Sequence, residues 1–221
     1  YRDSLLSAVL GIYKGEVFDQ SALERQLYAN QNGQDISSIY MDNGYLFFQV
    51  NPIERKIYND TIDIEIAIYE GPQAIVSNII ISGNTKTNEH VIRRELRTLP
   101  GDKFSRSDVI RSQREIANLG YFNPENMNVT PIPHPENGTV DIEYKVEEKP
   151  SDQVELSAGW GQNTVVGTLG LSFNNFSVKN IFKKGSWAPL PSGDGQRLSI
   201  RAQSTGQWYK SLSASFTEPW L

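Results

Sequence analysis

Apolar and polar residues alternate along this chain with two different periods, and the change from one to the other falls near Lys149-Pro150-Ser151-Asp152. Before it, helical spacing is interleaved with short strands. Ala74 to Ser82 alternates into the apolar run Ile79-Ile80-Ile81 and closes on Gly83-Asn84, which predicts a strand ending in a turn. Thr87 or Asn88 is placed to cap a helix through about Leu96, because Val91, Ile92, Glu95 and Leu96 fall at helical spacing. Leu99-Pro100-Gly101 ends that helix. Ser105 and Asp108 have capping-box spacing for a second helix, which gathers Val109, Ile116 and Leu119 on one face and stops at Gly120. Strands over Met127 to Ile132 and Thr139 to Glu147, joined around Pro135-Glu136-Asn137-Gly138, complete a β-α-α-β-β order.

The same order occurs twice. Thr61-Ile62-Asp63-Ile64-Glu65-Ile66-Ala67-Ile68-Tyr69-Glu70 aligns without a gap on Thr139-Val140-Asp141-Ile142-Glu143-Tyr144-Lys145-Val146-Glu147-Glu148. Gly44-Tyr45 matches Gly120-Tyr121, and Gly15-Glu16-Val17-Phe18 matches Gly101-Asp102-Lys103-Phe104. The earlier copy carries extra residues around Asn32-Gly33, uses Asp19 as its cap, and places its paired strands at about Leu46 to Ile53 and Thr61 to Tyr69. It begins inside its first helix near Leu5-Leu6, without the first strand. The expected division is 1–73 and 74–150 for the two α+β modules and 151–221 for an all-β segment.

In that segment the period is two. Val154, Leu156, Ala158 and Trp160 alternate with Glu155, Ser157, Gly159 and Gly161, in a strand expected to run to Gln162; Leu169, Leu171 and Phe173 alternate with Thr168, Gly170 and Ser172. Leu198, Ile200 and Ala202 alternate with Arg197, Ser199, Arg201 and Gln203. Trp208, Leu212, Ala214 and Phe216 alternate with Tyr209, Ser211, Ser213 and Ser215. Any half-buried antiparallel sheet alternates in this way, a soluble sandwich included. The uniformly small or polar second face, with Trp160, Trp208 and Trp220 at strand ends, instead matches the wet interior and aromatic girdle of a membrane barrel. Four strands cannot close a barrel, so more are expected after Leu221. The start at Tyr1 and the stop just after a strand likewise read as a piece of something longer.

A net charge of −5, with cations interspersed among acids, argues against a nucleic-acid partner. Having no cysteine, the chain has no disulfide framework and no thiolate chemistry. It lacks a run of about 18 apolar residues, the mark of a membrane helix, which leaves a barrel open. Hydrolase, nucleotide and zinc motifs are absent from the sequence. His90 and His134 are expected at the surface rather than on a metal, and Ser192 to Gly195 reads as a turn rather than a calcium loop. No enzyme, cofactor or metal is expected.

Ile79-Ile80-Ile81-Ser82-Gly83-Asn84-Thr85-Lys86-Thr87, then Val91-Ile92-Arg93-Arg94-Glu95-Leu96 and Gly101-Asp102, is similar to the polypeptide-transport-associated (POTRA) domain. Asn174-Asn175-Phe176-Ser177, Gly185-Ser186-Trp187, Pro189-Leu190-Pro191, Gly193-Asp194-Gly195-Gln196 and Phe216-Thr217-Glu218-Pro219-Trp220-Leu221 resemble the start of the barrel in the BamA family of outer-membrane assembly factors, in a form associated with Bacteroidetes-type bacteria. The long segment from Asn174 to Gly195 departs from the short turns normal at a barrel's periplasmic side. With Lys183-Lys184 and a Pro-rich end, it suggests a loop or short amphipathic helix at the membrane surface.

The resemblance implies that residues 1–150 lie in the periplasm beside the outer membrane. Its implied partners are unfolded outer-membrane proteins, accessory lipoproteins and outer-membrane lipid. Client-binding edge strands are expected at Phe47, Phe48, Gln49 and Val50 and at Met127, Asn128, Val129 and Thr130, where Pro52 and Pro131 limit further pairing. Val154 to Gly161 is expected to be a lateral gate, and Arg93, Arg94, Arg97 and Asp102 a contact for accessory subunits. The alternatives are a polypeptide secretion pore of the same superfamily, of the two-partner type, and a lipase-like enzyme fused upstream of such modules.

Overall fold

The computed structural model describes residues 1–221 except 29, 31–32, 162–163, 184, 188–189, 207–208 and 221. Asn32, Gln162, Lys184, Pro189, Trp208 and Leu221 of the sequence reading lie outside the described residues. The chain divides into two compact units, one of Tyr1–Ile80, Arg97–Arg114 and Val129–Tyr144, the other of Ile81–Leu96, Glu115–Asn128 and Lys145–Leu221.

The first unit opens with three helices, α1 (Asp3–Leu10), α2 (Gln20–Tyr28) and α3 (Ile36–Asp42). Asp19 caps α2 as the sequence predicts, its carboxylate accepting from the N–H groups of Ser21 at 2.9 Å and Ala22 at 3.2 Å. Asp35 caps α3 through the Ser38 N–H at 2.8 Å. The antiparallel pair β1 (Gln49–Tyr58) and β2 (Thr61–Tyr69) turns at Asn59, whose φ of 50° is left-handed. Ile64, Ile66 and Ile68 of β2 pack on a buried cluster of Leu23, Leu27, Ile36, Tyr40, Phe48 and Val50. At about 1.5–3 kcal/mol for each large apolar side chain removed from water, that cluster holds this part of the unit.

The later copy has β3 (Ile75–Ser82), α4 (Glu89–Arg93), α5 (Arg106–Asn118), β4 (Asn128–His134) and β5 (Thr139–Lys145), in the sheet order β3-β5-β4. Central β5 buries Val140, Ile142 and Tyr144 completely, as the alternation requires. Ser105 Oγ accepts from the Asp108 N–H at 3.2 Å, which is the N-cap half of the expected capping box. The chain then forms one antiparallel sheet of β6 (Gln153–Gly161), β7 (Thr164–Phe176), β8 (Gln196–Thr205) and β9 (Tyr209–Thr217), in sequence order. No helix among the described residues is long and apolar enough to cross a membrane.

Two sequence expectations shift. The helix expected to reach Leu96 ends at Arg93, and the Asn88 side chain makes no capping bond, its Nδ2 donating instead to Asp194. The earlier strand begins at Gln49 rather than Leu46, since Leu46 and Phe47 lie in a turn and Phe48 leaves the strand direction to stack on Tyr40, with centroids 4.2 Å apart.

Candidate functional site

The strands with an open edge include the three singled out by the sequence, β1, β4 and β6. β1 pairs with β2 alone, β4 is an outer strand of its sheet, and β6 pairs with β7 alone. Gln49 and Val50 stand at the start of β1, and Asn128, Val129 and Thr130 at the start of β4. Phe47 and Phe48 are removed from the edge by the turn described above, and Met127 precedes β4 with its side chain buried. An open edge offers unpaired N–H and C=O groups to an added strand, whatever that strand's side chains.

β6 to β9 carry one continuous apolar face. Its cross-strand partners are Val154 with Leu171, Leu156 with Leu169 and Trp160 with Val165. The rows continue through Leu171 with Ile200, Leu198 with Phe216, and Ala202 with Leu212. Its members face outward: Leu156 is 81% exposed, Leu212 78% and Trp160 84%. A shallow apolar depression on this face is lined by Leu156, Leu169, Ala202 and Leu212. The opposite face pairs Glu155 with Gly170, Ser157 with Thr168, and Thr168 with Gln203, leaving it small and polar. Patches of exposed apolar surface this extended are unusual on a soluble monomer.

At the end of the sheet where β6 begins, the second unit holds a buried polar network that the sequence reading missed. Asn175 donates to Thr87 Oγ1 at 2.8 Å and accepts from the Gly195 N–H at 2.9 Å. Asp194, 5% exposed, accepts from Ser177 Oγ at 2.5 Å and Asn88 Nδ2 at 2.7 Å, with His90 Nε2 at 3.6 Å. The Asn88 N–H donates to Gly193 O at 2.9 Å, and the Tyr121 hydroxyl to Gly195 O at 3.1 Å. Burial pushes the Tyr121 hydroxyl pKa up, so it remains a donor. What the sequence reads as an isolated Ser192 to Gly195 turn is the centre of this joint.

The Gly83 to Thr87 turn has its own support. Glu148 accepts from the N–H groups of Thr87 at 2.6 Å and Lys86 at 2.9 Å and from Thr85 Oγ1 at 2.8 Å. Burial raises the Glu148 pKa, but these donors outweigh it and hold the carboxyl below its ordinary range. Gly83, with φ 92°, is obligatory, since a Cβ there would lie 1.8 Å from Val146 O.

Of the four residues expected to meet accessory subunits, Arg93 pairs with Glu89 at 2.6 Å. Arg94 is not the exposed charge expected. Its side chain is 15% exposed and its guanidinium lies 5.5 Å from the Trp220 ring centroid. Arg97 and Asp102 are exposed and belong to the other unit, where Asp102 accepts from the Leu99 N–H at 2.9 Å. Among the described residues no cluster of His, Asp and Glu could hold a metal.

The family model of POTRA, the surface antigen variable number repeat, matches residues 1–71 and 74–149. The chain is 30% identical over 218 residues, 98% of its own length, to a Treponema pallidum protein assigned as an outer membrane protein assembly factor. Outer membrane protein assembly factor BamA of Neisseria meningitidis is 32% identical over 165 residues, 73% of the chain. The chain covers 24% and 18% of those relatives. The crystal structure of BamA from Haemophilus ducreyi lacking POTRA domains 1–3 matches 99% of the chain and 37% of its own, with a TM-score of 0.72 at 22% identity. The fold is therefore that of POTRA domains followed by a sheet resembling the first part of a BamA barrel.

Proposed function

This chain belongs to the POTRA family, and on that premise we propose that it is the membrane-proximal part of an outer-membrane protein assembly factor, with docking modules at 1–73 and 74–150 and the first four strands of a transmembrane barrel at 151–221. The observation that carries this reading is the outward apolar face of β6 to β9, reached directly after the second module. In water that face is an aggregation hazard; in a bilayer it is the lipid-facing side of a barrel whose other face lines a wet lumen. Residues 1–150 then lie in the periplasm.

Unfolded outer-membrane proteins are the clients. They add strands to β1 at Gln49 and Val50 and to β4 at Asn128, Val129 and Thr130 by main-chain hydrogen bonds, which tolerates varied sequences. β6, from Val154 to Gly161, is the lateral gate. Gly159 and Gly161 weaken its hold on a closing strand, and opening exposes backbone groups that cost several kcal/mol each in lipid, so a client strand is a favoured partner. Insertion needs neither catalysis nor a cofactor. Accessory lipoproteins contact Arg93, Arg97 and Asp102.

The test uses the full-length protein with a cysteine in β6 and another in the barrel's closing strand. Oxidation should abolish client assembly and reduction restore it; normal assembly by the locked protein overturns the gate. A secretion pore would release its substrate across the membrane rather than into it, and the same assay separates the two products.

A further inference from the structure

Between β7 and β8 the chain makes a long excursion whose two sides differ in chemistry. Its base is polar and buried: Asn180 Nδ2 donates to Ser192 O at 2.9 Å, the Asn180 N–H to Ser177 Oγ at 3.2 Å, and the Val178 N–H to Gln196 Oε1 at 2.7 Å. Its outer side is apolar and cationic. Phe182 is 94% exposed and Trp187 51%, and Lys179 and Lys183 of the same segment are exposed as well. These rings are displayed on an ordered scaffold, since Ile181, Lys183 and Ser186 donate back to Val178 O, Asn180 O and Lys183 O, and the Trp187 indole N–H to Ile181 O at 2.9 Å.

The excursion leaves the sheet at the end where β6 starts. Gln153 pairs with Ser172, and the Asn174 amide donates to Ser151 O. The other end carries exposed Trp160 and Tyr209. Between them the apolar face runs six residue steps along β6, about 20 Å of strand at about 3.3 Å per step, which lies within the ~25 Å apolar band of outer-membrane barrels once the strand tilt of about 35–45° is allowed for. Exposed aromatic rings thus bracket the apolar face at both ends, the arrangement of interfacial belts.

Resting on the reading of β6 to β9 as membrane strands, we propose that residues 178–183 and 185–187 form an interfacial anchor for anionic phospholipid, in which Phe182 and Trp187 enter the headgroup boundary of the periplasmic leaflet and Lys179 and Lys183 pair with lipid phosphates. Two cations flanking an exposed ring, continuous with a lipid-facing sheet, suit a surface that is apolar within and anionic at its rim. The anchor fixes the periplasmic ends of β7 and β8 at the bilayer surface, next to the gate strand.

Full-length protein in nanodiscs tests this with an environment-sensitive fluorophore on Phe182→Cys and, separately, on Leu156→Cys. The expected result is lipid-shielded emission at both positions, with nitroxide on an anionic lipid quenching position 182 more than nitroxide on a zwitterionic lipid. Each lysine contributes about fivefold near an anionic surface, so Lys179→Gln and Lys183→Gln should each lower that quenching ratio by up to about this factor. A shielded label at 156 with an aqueous label at 182 overturns the anchor while leaving the barrel reading in place. Aqueous labels at both positions overturn the barrel reading, and the anchor with it. A quenching ratio unchanged in both lysine variants overturns the phosphate contacts.

Discussion

Glu155 and Arg201 are joined across a strand that lies between them. Glu155 Oε1 stands 3.4 Å from Arg201 Nη2, and the intervening β7 position opposite both is Gly170. A Cβ at Gly170 would sit 3.2 Å from both Cβ and Oε2 of Glu155. The missing side chain is what lets the first strand reach the third.

Arg201→Gln should therefore cost little, about 0.2–1 kcal/mol, because both partners are more than half exposed. Gly170→Leu should cost more, since it blocks the tie and also crowds the Glu155 side chain. Urea unfolding of the full-length protein in lipid vesicles checks the order; equal losses would show that the space above Gly170 has no role.

Along β6, main-chain recognition predicts an inverted sensitivity. Leu156→Ala, which trims a lipid-facing side chain, should leave client assembly close to normal. Ser157→Pro or Ala158→Pro removes a ladder donor, at about 1–3 kcal/mol for the partner left unpaired, and should reduce assembly severely. Assembly kinetics of a model barrel client read this directly. A side-chain-specific gate would give the reverse ranking.

Glu148 predicts a pH dependence of known sign. Its folded pKa is lower than its unfolded value, so the stability it supplies is present above the unfolded value of about 4.3 and is lost as pH falls through the folded one. Glu148→Gln offers one acceptor oxygen to donors that the carboxylate meets with two. The variant should melt lower than the parent at neutral pH, with the gap narrowing below about pH 4. A gap constant across that window would mean that the charge is not involved.

Thr87→Val is nearly isosteric and removes the acceptor of the Asn175 amide inside a buried network. The expected loss is about 1–3 kcal/mol, the cost of one unsatisfied buried donor. Thr85→Val, at an exposed member of the Glu148 turn, should cost less. Melting temperatures of the two variants provide the comparison.

The parts of the fold legible in the sequence are those fixed by local period. The alternation of Val154 to Trp160 and of Leu198 to Ala202 specified strands and faces because a side-chain period of two admits no other placement once one face is apolar. The Asp19 and Ser105 caps were legible because capping acts within three residues. Phe47 and Phe48 misled because an aromatic pair beside a strand looks like strand, and only the stacking partner Tyr40, in another element, decides where Phe48 goes. The Asp194 network was illegible for a stronger reason. Asn88 and Asp194 are 106 positions apart, and short polar residues flanked by glycines carry the same local signal in a solvated turn as in a buried joint.

That joint also has a consequence for motion in time. The N–H groups of Asn88, Ser177, Gly193 and Gly195 are satisfied by Gly193, Pro191 and Asn175, residues of the same small network. The Asn88, Gly193 and Gly195 bonds share Gly193 and Asn175, so opening one disturbs the others, and Ser177 is tied to them through Asp194. In native-state hydrogen exchange these amides should therefore lose protection together, in a single opening with one shared denaturant dependence, rather than fraying one by one as surface loops do. The segment between β7 and β8, which by length resembles a loose connection, would then count among the slowly exchanging parts of the molecule.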